Sequence, residues 1–391
     1  MDAMQTERIR NAVLLATAAM YAAGYATNGL LWMLAVAVGE AVSKTWRWVP
    51  TSLDRPLIAT VSAALLSALF SEWRSVSMVN SVVLALTVAL SVRTVAAYAI
   101  GGAGPCLRFL MCWVAGGVAA ALWVVVQFDP TGHRLPGTAI LGNNGVGTTL
   151  AVSAVIALGL LINRAPARWW PMAAALAVLL AGLVATWSRG AWLGAAAGMV
   201  TLLAVGVRSR ARRAVALLTL LLVGLGAMLL PRWPALYAEV RSIGSLGANR
   251  NRLAIWSVVP KMIGDHPVVG TGFGTFAFAY PRYRLPAAPD LTPPFAHNLL
   301  LNMAVEAGVL GLAAIVALCT VGLVSSWRWV TRNPQGSPER TVAVAVMAGL
   351  VTLLATQMVD GAVMYVHVAF GLFALLTLGA VGDRYLSHLH A

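Results

Sequence analysis

The stretch from Thr292 to Leu312, TPPFAHNLLLNMAVEAGVLGL, places His297 and Asn298 at the lip of an apolar run that carries one acid, Glu306. Imidazole changes its charge near neutral pH, so a histidine here can take a proton from a hydroxyl as that hydroxyl attacks an electrophilic carbon. It can equally cap a helix or position a substrate. Three other side chains have types suited to the same reaction. Arg189 stands between two apolar runs in TWSRGAW, Arg252 lies in NRNRLAIW, and Asp360 lies in QMVDGAVMYVH. A guanidinium grips phosphate with a two-pronged fork, and a carboxylate can orient an imidazole or hold an arginine. By residue type alone, Arg189 also suits an interfacial side chain beside Trp187 and Trp192. Asn249 and Arg250 are polar neighbours of Arg252 that a substrate or plain solvent could occupy. Glu306 is nine residues after His297, about half a revolution around a helix and roughly 13 Å along it. It therefore reads as a buried structural acid bonded to a neighbouring helix, with a functional role as the alternative. His367 reads as a packed interior residue. The turn FDPTGHRLPGTAILGNNG offers His133, Arg134, Asn143 and Asn144, either as ordinary loop or as sugar contacts.

The elements that hold these residues follow from hydropathy. The chain has 391 residues, 60% of them hydrophobic and 10% charged, and a mean hydropathy of +0.81. Repeated apolar runs of about 17 to 25 residues match a bilayer core and exclude a water-soluble globule. They lack the two-residue alternation of a membrane barrel. The predicted fold is an all-α polytopic membrane protein of about twelve spans. These lie near residues 9–24, 27–42, 56–71, 76–92, 107–126, 147–163, 170–187, 191–207, 214–230, 298–324, 341–358 and 362–381. The first follows Arg8 and Arg10, as a signal peptide would, but no small-residue cleavage site and hydrophilic mature start comes after it. Cys106, Cys112 and Cys319 lie in or beside apolar runs, which indicates neither a disulfide framework nor a metal site. No nucleic-acid partner is indicated.

Orientation comes from the basic residues. With the N-terminus inside, the inner segments carry Arg8, Arg10, Lys44, Arg47, Arg55, Arg93, Arg108, Arg164, Arg168, Arg208, Arg210, Arg212, Arg213, Arg328, Arg332, Arg340 and Arg384. The short outer connections carry only Arg74, Arg134 and Arg189, so both termini are expected inside. The long connection 231–297 then lies outside, with Arg232, Arg241, Arg250, Arg252, Lys261, Arg282 and Arg284 against Glu239, Asp265 and Asp290. Most of those cations suit solvent or lipid headgroups, and the excess also suits an anionic ligand such as phosphate. Within this connection Leu253, Ile255, Trp256 and Val259 predict a short helix against the membrane surface, limited by Pro260 and Gly264. GTGFGTF, from Gly270 to Phe276, lacks the strand, helix and lysine of a phosphate loop, and its glycines predict close backbone approach. The chain divides into spans one to nine (1–230), the outer loop (231–297), and spans ten to twelve with a tail (298–391).

TWSRGAW, NRNRLAIW, HPVVGTGFGTF and AHNLLLNMAVEAGVLGL occur in the order seen in the O-antigen ligase and polymerase superfamily, and the chain resembles an O-antigen ligase of a bacterial inner membrane. The resemblance implies a multi-pass membrane glycosyltransferase of GT-C-like architecture with a large periplasmic loop and cytoplasmic termini. It implies a donor glycan on undecaprenyl diphosphate, a lipid A-core acceptor, membrane lipids as surroundings, and inverting transfer with no metal and no cofactor. No DxD, DxE or ExD triplet occurs in the chain. His297, Arg189 and Arg252 match the family's catalytic positions. Asn298, Asp360, Arg250 and Asn249 are the substrate-binding candidates. A polymerase and a protein O-oligosaccharyltransferase of the same superfamily are the alternatives, and chain length with no added soluble domain points to the ligase. An anionic lipid or solute transporter is the alternative of another class, which Glu40 and Arg93 would allow, although no twofold internal repeat is visible.

Overall fold

In a bilayer every backbone amide and carbonyl must find its partner within the protein, so apolar runs of this length fold as helices. The computed structural model describes residues 3–23, 26–42, 48–128, 143–163, 169–206, 233–247, 249–286, 288–360 and 366–387. The helices, in chain order, are α1 (Ala3–Ala22), α2 (Ala26–Val42), α3 (Asp54–Phe70), α4 (Arg74–Ala99), α5 (Ala103–Val126), α6 (Asn143–Ile162), α7 (Trp169–Ala185) and α8 (Arg189–Thr201). A π-helical turn, Leu202–Gly206, extends α8. Then come α9 (Pro234–Arg241), α10 (Arg250–Asp265), the short α11 (Phe276–Ala279), α12 (Leu299–Arg332), α13 (Pro338–Gln357) and α14 (Val366–Val381). Among the described residues, six helical segments are long and apolar enough to cross a membrane: α4, α5, α6, α12, α13 and residues Ala369–Leu386. Shorter apolar stretches lie in α2, α7 and α8. The expected span at 214–230 and the basic cluster from Arg208 to Arg213 lie outside the described residues, as do His133 and Arg134.

Three local readings are corrected by the structure. First, α4 continues past residue 92 to Ala99, so Arg93 is not in an inner connection. It is buried within the bundle and paired with Glu40 of α2, which also faces Arg10 at 3.5 Å. Pairing is how a bundle accommodates a buried charge, because an isolated one would cost several kcal/mol or more. Second, α10 runs through Pro260, which sits on its exposed side, and ends at Asp265. Its apolar side is covered by protein: Ile255, Val258, Val259 and Met262 pack with Phe276, Tyr280, Ala296 and Val305. Burying those four side chains from water contributes at most roughly 6 to 12 kcal/mol, at about 1.5 to 3 each. That face fixes the helix that carries Arg252.

Third, α12 is not one uninterrupted rod. Gly308 has φ 62° and ψ −161°, a backbone state that strains any residue with a Cβ. The break frees amides and carbonyls on both sides, and the segment 267–272 takes them up. Thr271 N donates to Val305 O (2.9 Å), Gly272 N to Glu306 O (3.0 Å), and Val309 N to Pro267 O (2.9 Å). Gly270, at φ 73°, leaves no room for a Cβ against the Glu306 backbone. The close approach expected of GTGFGTF is therefore the docking of this turn segment against the broken helix, where each supplies partners for the other's backbone groups.

Lipid is as apolar as leucine, so helices in a bilayer gain little by hiding apolar groups from it, and tight contact between small residues takes over. Gly190, Gly194 and Gly198, one turn apart on α8, form such a ridge. They meet Val359, Thr356 and Thr352 at the end of α13, and a Cβ at Gly190 would stand 2.8 Å from Val359 Cγ2. This ridge brings the start of α8, with Arg189, up to the end of α13, beside Asp360.

Candidate functional site

Four helices begin around one cavity of about 190 Å³. Asn144 comes from the first turn of α6, Arg189 and Gly190 from the start of α8, Asn251 and Arg252 from the start of α10, and His297 immediately precedes the cap of α12; Trp187 completes the wall. Helix N-termini point their unsatisfied amides and the positive end of the helix dipole, equivalent to roughly half a charge each, toward what lies in front of them. Together with two guanidinium groups they make the cavity receptive to an anion.

His297 is held in an unusual state. It and Trp187 are the non-glycine residues with positive φ among the described residues, both at 53°, and both line this cavity. Such backbone costs about 1 to 3 kcal/mol per residue and persists only where the surroundings dictate it. Here they do. Before His297, the Ala296 amide donates to Asn302 Oδ1 (2.9 Å), and the Ala296 carbonyl accepts from Trp256 Nε1 (2.7 Å). After it, Asn298 Oδ1 accepts from the amides of Leu300 and Leu301 (3.0 Å each), capping α12, while its Nδ2 donates to Met358 O (2.9 Å). The ring meets Phe295 edge-on at 4.7 Å. Nδ1 lies 3.5 Å from Asp360 Oδ1. That is an ion-pair separation slightly too long for a hydrogen bond, and Nδ1 makes no hydrogen bond elsewhere. Asp360 is buried, and Asn144 Nδ2 donates to the same Oδ1 at 3.2 Å. Ser188 Oγ lies 3.2 Å from Asn144 Oδ1, linking this corner to the turn before α8.

The arginines are placed differently from one another. Arg189 Nη1 donates to Ser242 O (3.0 Å) and Ser242 Oγ (2.9 Å), and its Nε lies 3.3 Å from Glu239 Oε1, so α9 fixes it from the side. Arg252 lines the cavity and also a second cavity of about 230 Å³ that shares Arg189 and Gly190 and is otherwise walled largely by Leu193, Ile243, Leu246, Leu253, Trp256 and Val359. A polar chamber thus opens beside an apolar one, with both arginines at the join.

The remaining expected site residues lie apart from the polar cavity. Arg250 is exposed and lines neither cavity, as solvation of a loop cation would have it. Asn249 touches the apolar cavity, but its Nδ2 donates to Ile243 O and Ser245 O, tying down the turn after α9. Asn298 is engaged by its cap and by Met358. Arg241, Lys261 and Arg282 are exposed. Glu306, 2% exposed, does bond a neighbouring element: its Oε1 accepts from Phe276 N, the first amide of α11. Asn251 and Gly190 were not anticipated. Asn251 sits one residue before Arg252 in a helical first turn, and Gly190 opens the four-residue glycine repeat, which was the readable signal. Among the described residues no three His, Cys, Asp or Glu side chains are grouped as metal ligands would be.

A multi-pass helical membrane protein with an anion-receptive cavity at the starts of four helices is the class these features define. Residues 174–316 match the family model described as O-antigen ligase, a segment that holds Arg189, Arg252, His297 and Glu306. The matched segment is 143 of the 391 residues, and over it the chain is similar to that family. No curated protein matches the chain.

Proposed function

We propose that the chain is an inner-membrane O-antigen ligase that transfers a glycan from undecaprenyl diphosphate to the lipid A core on the periplasmic side. The observation that carries this reading is the meeting of His297, Arg189 and Arg252 in one polar cavity next to an apolar one, with the buried Asp360 3.5 Å from His297 Nδ1. The donor's diphosphate lies at the join, held by the two guanidinium groups and the amides at the start of α8, and its polyprenyl chain leaves through the apolar chamber. Asp360 favours the imidazole tautomer with its proton on Nδ1, which leaves Nε2 to face the acceptor. The acceptor hydroxyl attacks the anomeric carbon as Nε2 takes its proton. The bond from that carbon to the diphosphate oxygen breaks with its electron pair on the oxygen, and configuration inverts. The arginines neutralise the departing charge in place of a metal ion, while Asp360 stabilises the imidazolium. Asn251, whose buried Oδ1 makes no hydrogen bond within the protein, supplies an acceptor for a sugar hydroxyl.

The test is reconstitution with purified lipid-linked glycan and lipid A core, in the presence of a strong chelator, read as a shifted lipopolysaccharide ladder. Transfer to the core in chelator supports the ligase and its metal-independence. Extension of the lipid-linked glycan without core would assign the polymerase reaction, and uptake of lipid or solute without glycan transfer would assign a transporter.

A further inference from the structure

Glu306 is outside the polar cavity, yet it connects to His297 through a hydrogen-bonded chain whose polarity is fixed at both ends. The amide of Phe276 donates to Glu306 Oε1, Asn302 Nδ2 donates to Glu306 Oε2, and the amide of Ala296 donates to Asn302 Oδ1, each at 2.9 Å. Both side chains are buried, Asn302 completely. A backbone amide can only donate, so each end of the two-residue chain must present an oxygen. The middle contact then needs one donor and one acceptor, which an acid and an amide supply together. Two amides would meet donor to donor, and two carboxylates oxygen to oxygen. The far end is also anchored. The carbonyl of Glu306 accepts from Ser67 Oγ of α3 and from Gly272 N of the segment docked at the helix break.

We propose that Asn302 and Glu306, one turn and two turns into α12, are positioning residues that fix the left-handed backbone of His297 and so aim its imidazole at the acceptor. This rests on the reading of His297 as the base. Their contribution is to the geometry of proton transfer, and the donor, gripped by Arg189 and Arg252 on other helices, does not depend on it. A base misplaced by about 1 Å can cost about 10²-fold in rate.

The polarity rule yields a swap test. Glu306→Gln alone and Asn302→Asp alone, the latter at a pH where both carboxylates are ionised, each break the middle contact, and each is expected to lower the single-turnover rate at saturating donor by about 10²-fold with donor affinity unchanged. The double variant Glu306→Gln/Asn302→Asp restores a donor opposite an acceptor at every contact, and its rate is expected to return to within a few-fold of the parent. His297→Ala is measured alongside, and thermal transitions in detergent identify folded variants. If His297→Ala is slow while both single variants keep the parent rate, the positioning role is wrong and the base assignment stands. If His297→Ala itself keeps the parent rate, the base assignment fails first. A folded swap variant as slow as the single variants, or one that loses donor affinity in step with rate, overturns the inference. If a single variant does not fold, the swap alone decides: a folded, fast swap supports the chain of polarity, and an unfolded or slow one refutes it.

Discussion

Replacing Asp360 by asparagine keeps the shape of the side chain and an oxygen for Asn144, and removes only the charge 3.5 Å from His297 Nδ1. That charge matters once the imidazole is protonated. Coulomb's law at this separation gives about 4.7 kcal/mol for an effective dielectric of about 20, and about 2.4 kcal/mol for about 40. Asp360 is only 7% exposed and His297 18%, so the true value lies within this range rather than near the limit for bulk water. At about 1.36 kcal/mol per factor of ten, Asp360→Asn should slow the chemical step by about 60-fold to about 3000-fold. The sign of the effect on binding is opposite: removing a negative charge that lies behind His297 and Asn144, close to an anion site, should leave donor affinity equal or tighter. The assay is single-turnover transfer in proteoliposomes at saturating donor, with affinity from the concentration dependence of the rate. A rate within about threefold of the parent, below the floor set by the weaker Coulomb figure, or a loss of donor affinity, would refute the assignment of Asp360 as the partner of the protonated base.

Other expectations follow from the same geometry. Arg189→Lys should be nearly as slow as Arg189→Ala, because an ammonium cannot hold Ser242 and present a fork to phosphate together, and a rate near the parent's would show that a point charge suffices. Gly194→Leu should lower stability by about 1 to 3 kcal/mol through overpacking against Thr352 and Thr356, read as a lower thermal transition in detergent with loss of transfer; an unchanged transition would mean that the α8 ridge is not tightly packed. In a background without Cys106, Cys112 and Cys319, single cysteines at Gly247 and Asp290 should react with an impermeant reagent outside spheroplasts, and one at Gly336 should not. The reverse pattern would place the cavity on the wrong side of the membrane.

Much of the architecture was legible because apolar length is a direct measure of the bilayer: every expected span that falls on described residues overlaps a helix. Where the reading went astray, a tertiary partner decided. The break at Gly308 needs the carbonyls of Pro267 and Val268 some forty residues earlier, which no local pattern encodes. Pro260 stays in α10 because it lies on the exposed side, and Arg93 is internal because Glu40 on another helix pairs with it. At the site, Arg189, Arg252, Asp360 and His297 could be named from residue type and motif order. Their convergence could not, since it depends on the glycine ridge of α8 and on the buried face of α10. Asn144 and Asn298 show the limit of residue type: both are asparagines at helix starts, yet one bonds Asp360 at the cavity and the other is consumed by its own cap.

The central claim is that the donor is held by arginines while His297 performs proton transfer, and comparing His297→Ala with Arg252→Ala tests it most directly. Donor affinity and saturated single-turnover rate are measured for each variant, with thermal transitions matched to the parent. The predicted result is a rate about 10² to 10⁴-fold lower for His297→Ala at nearly unchanged affinity, the usual contribution of a general base, and weakened donor affinity for Arg252→Ala. A His297→Ala protein that binds donor poorly but turns over at the parent's saturated rate would make His297 a binding residue and contradict the account.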